Sequence, residues 1–147
     1  MNHLKILRQF LEENRSAKDI PPTGFPFVTI SRQAGAGGHL LAHVIVTDLI
    51  QHQENDRFRG WHVFDRELCE IIAQDPKLQT SMQELMSEAY KSDFKEFVES
   101  LFVGRSQPYL QQKKTLEVVR MLAMLGKVII VGRAGALATQ ELPAGIH

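Results

Sequence analysis

Three short apolar runs alternate with longer segments in which apolar residues recur at helical spacing. The runs cover residues 27–31, 61–65 and 127–132. The first is apolar on both faces and the third is unbroken, which is typical of central strands of a parallel sheet. Helical spacing predicts helices over residues 39–52, 66–74, from 76 onward, 93–102, 106–125 and 133–141. This alternation predicts an α/β fold with three layers (α/β/α) around a parallel sheet of about three strands.

Two of the predicted helices carry further signals. The segment over residues 39–52 is too apolar for a helix on a solvated surface, so we expect it to be buried. Asp93, with Glu96 three residues later, has the spacing of a capping box and predicts a helix start at Asp93. Gly126 follows a long apolar helix and predicts its C-terminal cap.

The N-terminal 25 residues differ from the remainder of the chain. Residues 3–14 have the spacing of an amphipathic helix, and a linker rich in proline and glycine follows. We therefore divide the chain into an N-terminal helix with its linker (residues 1–25) and a domain (residues 26–147). The helix is expected to pack on the domain or on a second chain.

The C-terminal end of the sequence predicts either a shortened protein, with an incomplete domain, or a natural end that leaves an open sheet edge. A further strand is expected just after Pro143 and Gly145, where the chain ends. An edge strand needs covering, because its unpaired backbone groups can bind another chain. A homo-oligomer formed through the N-terminal helix or through this edge is therefore one expectation.

Composition narrows the class of protein. The 147 residues are enough for one domain, and 17 basic residues balance 17 acidic ones. With no net charge, the protein has no overall electrostatic field that would attract nucleic acid or a membrane, so we expect neither as a partner. No apolar run is long enough to span a membrane, and the N-terminus lacks a signal peptide, which favours the cytoplasm. The six histidines show no ligand spacing, so no metal site is predicted from them.

The chain has a single cysteine. Cys69 lies in an apolar helical pattern, which favours a buried, inert thiol over a nucleophile. A single cysteine also excludes an internal disulfide and a zinc site of several cysteines.

A glycine-rich segment follows the first predicted strand. Gly35, Gly37 and Gly38 allow the backbone to approach a phosphate closely, and the helix that follows would point its N-terminus at the same anion. The alternative is a tight turn that binds nothing. Compared with the pattern G-x-x-x-x-G-K-[ST], Gly38 stands in the place of the lysine, His39 in the place of the hydroxyl residue, and Arg32 in the place of the first glycine. Arg32 or His39 could supply replacement charge.

The ends of the other two predicted strands carry charged residues. Asp65 and Arg66 end the second strand, where ligands of open parallel sheets bind. Asp65 could bind a sugar or base and Arg66 a phosphate, or Asp65 could cap the next helix while Arg66 is solvated. Gly132 and Arg133 end the third strand, where an arginine suits bidentate binding of phosphate, or is simply exposed in a turn. Together with the glycine-rich segment, these ends would converge on one crevice.

Four segments resemble the cytidylate kinase-like family, relatives of the nucleoside monophosphate kinases. They are VTISRQAGAGGHLLA (28–42), HVFDREL (62–68), QPYLQ (107–111) and KVIIVGRAGALA (127–138). Their order and spacing agree from about Pro26 to His147. The resemblance implies a P-loop kinase fold that transfers a phosphoryl group from ATP to a nucleoside monophosphate such as CMP, with Mg²⁺.

The resemblance also implies a binding role for individual residues. It implies that the nucleotide's phosphates are held by Ser31, Arg32, Gln33, Gly35, Ala36, Gly37, Gly38 and His39. It places Asp65 and Arg66 at the acceptor site and Arg133 on the acceptor's phosphate. We take Arg32, as a replacement charge, and Arg133 as the candidate catalytic residues.

Departures from the family pattern keep alternatives open. Gly38 replaces the lysine of authentic cytidylate kinases, and Ala134 stands where an acidic residue commonly follows the Gly-Arg pair. The resemblance covers the N-terminal portion of such an enzyme, without the lid. The chain is thus either a nucleoside monophosphate kinase or a catalytically impaired module that binds a nucleotide or an anion. A structural or interaction role is a third reading.

Overall fold

The structure is a computed structural model. It describes residues 3–15, 25–31, 37–52, 54, 58–84, 88–102, 107–132, 134–139, 142 and 144–147. The helices among these residues are α1 His3–Arg15, α2 Gly38–Ile50, α3 Arg66–Ala73, α4 Pro76–Glu84, α5 Glu88–Phe102, α6 Gln107–Leu125 and α7 Ala134–Thr139. The strands are β1 Phe27–Ile30, β2 His62–Asp65, β3 Val128–Val131 and β4 Gly145–Ile146.

The strands form one parallel sheet in the order β2-β3-β1-β4. The predicted α/β fold with a parallel sheet is therefore confirmed. All three predicted strands are present, and β4 adds a two-residue edge strand beside β1.

The sheet has helices on both faces, which gives the three layers. Val128 and Ile130 of β3 point into the larger core, shared with α6 and α3. Ile129 and Val131 point to the other face, where they pack with Ala42 of α2. All four side chains of β3 are buried, as an uninterrupted apolar run requires.

The expectation that the apolar helix over residues 39–52 is buried was wrong for one of its faces. Ala42 is fully buried, but Leu40, Leu41 and Val44 are 69%, 50% and 57% exposed. The reason is geometric: a helix on the outside of a sheet covers it with one face only, and α2 is apolar on both.

The N-terminal helix packs on the domain. Leu7 and Phe10 are fully buried, and the Phe10 ring meets the Phe64 ring of β2 edge-on, with centroids 5.3 Å apart. Glu13 and His62 lie 3.2 Å apart (Oε2 to Nε2) at the start of β2. The apolar face of α1 is thus used within the chain.

The division at residue 25 stays a prediction. The linker residues 16–24 lie outside the described residues. Phe25, the first described residue after them, is buried.

The prediction that Asp93 begins a helix through a capping box is wrong. Asp93 lies inside α5, which begins at Glu88, and its carboxylate accepts a hydrogen bond from Arg120. The predicted cap of α6 is present: Gly126 has φ 77° and its N–H donates to the carbonyl of Leu122 over 3.0 Å.

No helix in the described part of the chain has both the length and the apolar character needed to cross a lipid bilayer.

Candidate functional site

The carboxyl ends of three strands lie side by side. β3 is in the middle, and its last residue, Val131, is in register with Ile30 of β1 and with Asp65 of β2. The N–H of Gly132 donates to the carbonyl of Ile30 over 2.9 Å, so the chain leaves the sheet at the same level on β1 and β3. The strand ends that the sequence predicted to converge are therefore brought to one edge of the sheet.

The residue directly before α2 is a glycine in the left-handed region. Gly37 has φ 80° and stands at the N-cap of α2, where it offers no side chain to the helix. A Cβ on Gly37 would meet nothing within 4 Å, so its conformation, rather than crowding, favours glycine there. Gly38 begins the helix and Ser31, after β1, is exposed.

The first turn of α2 suits an anion. Its N–H groups have no partner within the helix, there is no side-chain cap, and the turn contains no acidic residue. Such a helix end attracts phosphate through its N–H groups and its dipole. The described part of this segment therefore fits a phosphate group.

The rest of the glycine-rich segment stays a prediction. Arg32, Gln33, Gly35 and Ala36 lie outside the described residues, as does the side chain of His39.

Asp65 caps α3. Its Oδ1 accepts a hydrogen bond from the N–H of Leu68 over 2.8 Å. Of the two interpretations of Asp65, the cap is thus present in the structure, while a role in binding the acceptor stays a prediction. One oxygen of the carboxylate is committed to the cap, which fixes the direction of the side chain at the strand end.

Arg66 is at the same edge and is largely solvated. Its side chain is 77% exposed, and its Nε donates to Oε1 of Glu70 over 2.8 Å. An exposed pair of this kind contributes little free energy, so an anion could redirect the guanidinium. A Cβ on Gly132 would lie 3.9 Å from the Cβ of Arg66, which shows how close the two strand ends are.

Arg133 lies outside the described residues. In the sequence it stands between Gly132, which follows β3, and Ala134, the first residue of α7. Its proposed contact with a phosphate stays a prediction.

Sequence reasoning missed Arg120, which is 3% exposed in the middle of α6. It donates to Asp93 and to the carbonyl of Ala138. The signal was available: a single arginine stands within the otherwise apolar stretch from Val118 to Leu125.

A groove between α4 and α5 contains none of the predicted residues. Two lysines and two glutamates line it. Its charged residues cancel, so the groove lacks the positive charge that a phosphate would need.

Cys69 is buried and inert, as predicted. It is 1% exposed on α3, and burial, with smaller contributions from the carboxylates of Asp65 and Glu70, raises the pKa of its thiol to about 12. At neutral pH the thiolate that a nucleophile needs is therefore absent.

Cys69 should make the protein less stable in alkali. An unfolded chain loses the thiol proton near its ordinary pKa of 9.0, whereas the folded chain keeps it up to about 12. Between these values the unfolded state binds fewer protons, so the free energy of unfolding falls as the pH rises. The slope from this group approaches about 1.4 kcal/mol per pH unit. Urea denaturation at about pH 8, 9 and 10 measures how the free energy of unfolding changes with pH.

Cys69→Ala is the control, because it removes the titrating group. The variant should lose this contribution to the slope, so its free energy of unfolding should fall less steeply between about pH 9 and 12. Equal slopes in the two proteins would contradict the burial of the thiol.

The fold and this edge define a class: an α/β protein with a candidate anion-binding site at the carboxyl ends of its parallel strands. The sequence profile of the cytidylate kinase-like family matches residues 27–147. The chain belongs to this kinase-like family, and the resemblance noted in its sequence is confirmed. No significant match was found among curated proteins or among solved structures.

Proposed function

We propose that the chain binds ATP and a nucleoside monophosphate of the CMP type and transfers a phosphoryl group between them. The observation that carries the proposal is the register of the sheet. It brings the ends of β1, β2 and β3 to one edge, and Gly37 and the first turn of α2 follow β1 in the chain. Membership of the cytidylate kinase-like family supports the same activity.

The roles follow the positions of the residues. In this proposal Ser31, Gly37, Gly38 and the first turn of α2 bind the phosphates of ATP, together with the other predicted residues of that segment. Asp65 and Arg66 border the acceptor, and Arg133 binds the acceptor's phosphate. Phosphoryl transfer needs positioning and charge neutralisation more than covalent chemistry by the protein. Arginines at these places would supply much of the positive charge that neutralises the phosphates.

Mg²⁺ enters this proposal as part of the ATP substrate. Among the described residues there is no group of three or more His, Cys, Asp or Glu side chains that could hold a metal ion. Proteins commonly bind Mg²⁺ through one or two carboxylates plus substrate phosphates, with water completing the shell. The expected compartment for the activity is the cytoplasm.

One observation favours a second candidate, a module that binds a nucleotide or an anion without turnover. Gly38, the first residue of α2, has no side chain to reach the outer phosphates where the phosphate-loop pattern has lysine. The backbone cradle would then hold a phosphate, while the charge that speeds its transfer would be missing.

Turnover separates the two candidates. The full chain is incubated with ATP and Mg²⁺ and with CMP, dCMP or UMP, and ADP is measured. Formation of ADP that depends on the monophosphate supports the kinase. Calorimetric binding of nucleotide without ADP supports the module. Absence of both overturns the two candidates, and a stable dimer by light scattering would then favour an interaction role.

Arg133→Ala should weaken the binding of CMP. Loss of a charge-assisted, bidentate contact to phosphate removes about 1.5–3 kcal/mol, which is roughly tenfold to a hundredfold in the dissociation constant. The affinity for ATP should change much less, since the acceptor's phosphate is the group that Arg133 is proposed to hold. Isothermal titration calorimetry with each nucleotide measures both.

Arg8→Ala is the matched control, because Arg8 is an exposed arginine of α1, outside the proposed site. Its affinity for CMP should equal that of the unmodified protein. An Arg133→Ala protein that binds CMP as tightly as this control would eliminate the role of Arg133.

A further inference from the structure

Arg120 joins three helices through one buried guanidinium. The side chain starts on α6 and is 4% exposed. Its Nη1 donates to the carbonyl of Ala138 on α7 over 2.9 Å. Its Nη2 donates to Asp93 on α5, at 3.1 Å from Oδ1 and 3.3 Å from Oδ2. The Phe97 ring of α5 lies against it, with 4.7 Å from Cζ to the ring centroid.

This arrangement is costly for a purely structural role. A buried charge loses its hydration, and apolar residues of similar volume often stabilise a core at least as well. The Nε of Arg120 is buried and makes no hydrogen bond to any described residue. A buried donor left in this way requires an explanation. What the guanidinium provides, and an apolar side chain cannot, is a directional link between α5 and α7.

The end of α7 is the place where such a link matters. α7 has six residues, too few for a helix to be stable without outside contacts. Ala138 lies in its last turn, where carbonyl groups lack partners within the helix and a cation is favoured. Arg120 therefore caps α7 from another helix.

The other end of α7 is held by close packing. A Cβ on Gly135, in the first turn, would lie 3.2 Å from the Cβ of Thr29 on β1. The hydroxyl of Thr139 donates to the carbonyl of Gly135 over 2.7 Å and ties the two ends of the helix together. With both ends fixed, α7 has a defined start at Ala134, the residue that follows Arg133 in the chain.

We propose that Arg120 is a positioning residue for the acceptor's phosphate. It fixes α7 against α5, and through α7, which begins directly after Arg133 in the chain, it sets the position of that arginine. This rests on the proposed function, in which Arg133 binds the phosphate of a nucleoside monophosphate. Arg120 itself is buried and does not touch the substrate.

The test is a double-mutant cycle in the full chain. Arg120→Lys keeps the charge but cannot donate in the same two directions, and it should weaken CMP binding by about tenfold. ATP binding should change by less than about twofold, because ATP is proposed to bind at the start of α2. That helix lies on the face of the sheet opposite α7. In the background of Arg133→Ala, the same change should cost no further affinity for CMP. Calorimetry gives all four affinities.

A general loss of packing would give a different result. Arg120→Lys would then weaken ATP and CMP equally, or cost as much with Arg133→Ala as without it. Either outcome overturns the positioning role, as does unchanged binding of CMP. Arg8→Lys, at an exposed arginine, is the control and should bind both nucleotides normally.

If Arg120→Lys does not fold, the variant Asp93→Asn tests the same proposal. It leaves the bond from Arg120 to Ala138 in place and removes the charge pair, so CMP binding should weaken by about threefold while ATP binding is kept. Equal affinities for CMP would overturn the proposal. An unmodified protein that binds neither nucleotide overturns the proposed function and the role of Arg120 together. Normal binding of CMP that the variants do not alter overturns the role of Arg120 alone.

Discussion

Replacing Phe10 by alanine is expected to lower the free energy of unfolding by about 3–5 kcal/mol, the usual cost of deleting a fully buried aromatic side chain. Phe10 is fully buried and packs edge-on against Phe64 of the sheet. The change would leave a cavity between α1 and β2 that a helix and a strand cannot readily close. Urea denaturation followed by far-UV circular dichroism measures the loss.

Phe58→Ala is the matched control, since Phe58 is 37% exposed and contacts His52 at the surface. It should cost less than about 1 kcal/mol. If Phe10→Ala cost no more than this control, α1 would be an appendage on the surface. The large loss expected for Phe10→Ala instead makes α1 part of the same cooperative unit as the sheet.

Gly126→Ala is expected to cost about 2–5 kcal/mol, because two penalties add. Gly126 has φ 77°, a conformation that alanine adopts at a cost. A Cβ there would also lie 2.6 Å from the Cβ of Phe25, and closer still to the carbonyl oxygen of Phe25. Backbone cannot move aside as a flexible side chain can, so either α6 or the start of β1 must shift. Thermal and urea denaturation measure the loss.

Gly37→Ala separates the two penalties. Its φ of 80° is nearly the same, but a Cβ there meets nothing within 4 Å. It should therefore show only the conformational cost, about 1–2 kcal/mol. Equal losses for Gly126→Ala and Gly37→Ala would mean that the close approach of Phe25 does not matter.

The secondary structure was predictable where the pattern was strong. The unbroken run of β3 predicted a central parallel strand, and the structure places β3 between β1 and β2. The end of α6 followed from Gly126, whose conformation few other residues adopt. In these places local chemistry and the fold favour the same result.

The start of α5 could not be predicted in this way. Asp93 and Glu96 have the spacing of a capping box, yet the partner of Asp93 is Arg120, on another helix. An isolated segment contains no information about such a distant partner. The exposure of α2 was missed for a related reason: with apolar residues all round the helix, the pattern does not indicate which face meets the sheet.

The candidate site was predictable as a set of strand ends, and the register of β1, β2 and β3 confirms that these ends lie together. The role of each side chain was not. An aspartate at the start of a helix suits a cap and a ligand contact equally, since both use the same acceptor oxygens. The cap of α3 by Asp65 is a geometric fact that only the structure provides.

The order of the strands also affects how the chain folds. β1 and β2 do not pair with each other; both pair with β3, which follows them in the chain after α3, α4, α5 and α6. Contacts between segments so distant in sequence form slowly. During synthesis from the N-terminus, the edges of β1 and β2 that pair with β3 stay unpaired until β3 has left the ribosome. The three segments of the candidate site become neighbours only in that late step. A nucleotide bound at the strand ends would therefore stabilise the completed sheet and none of the earlier folding states.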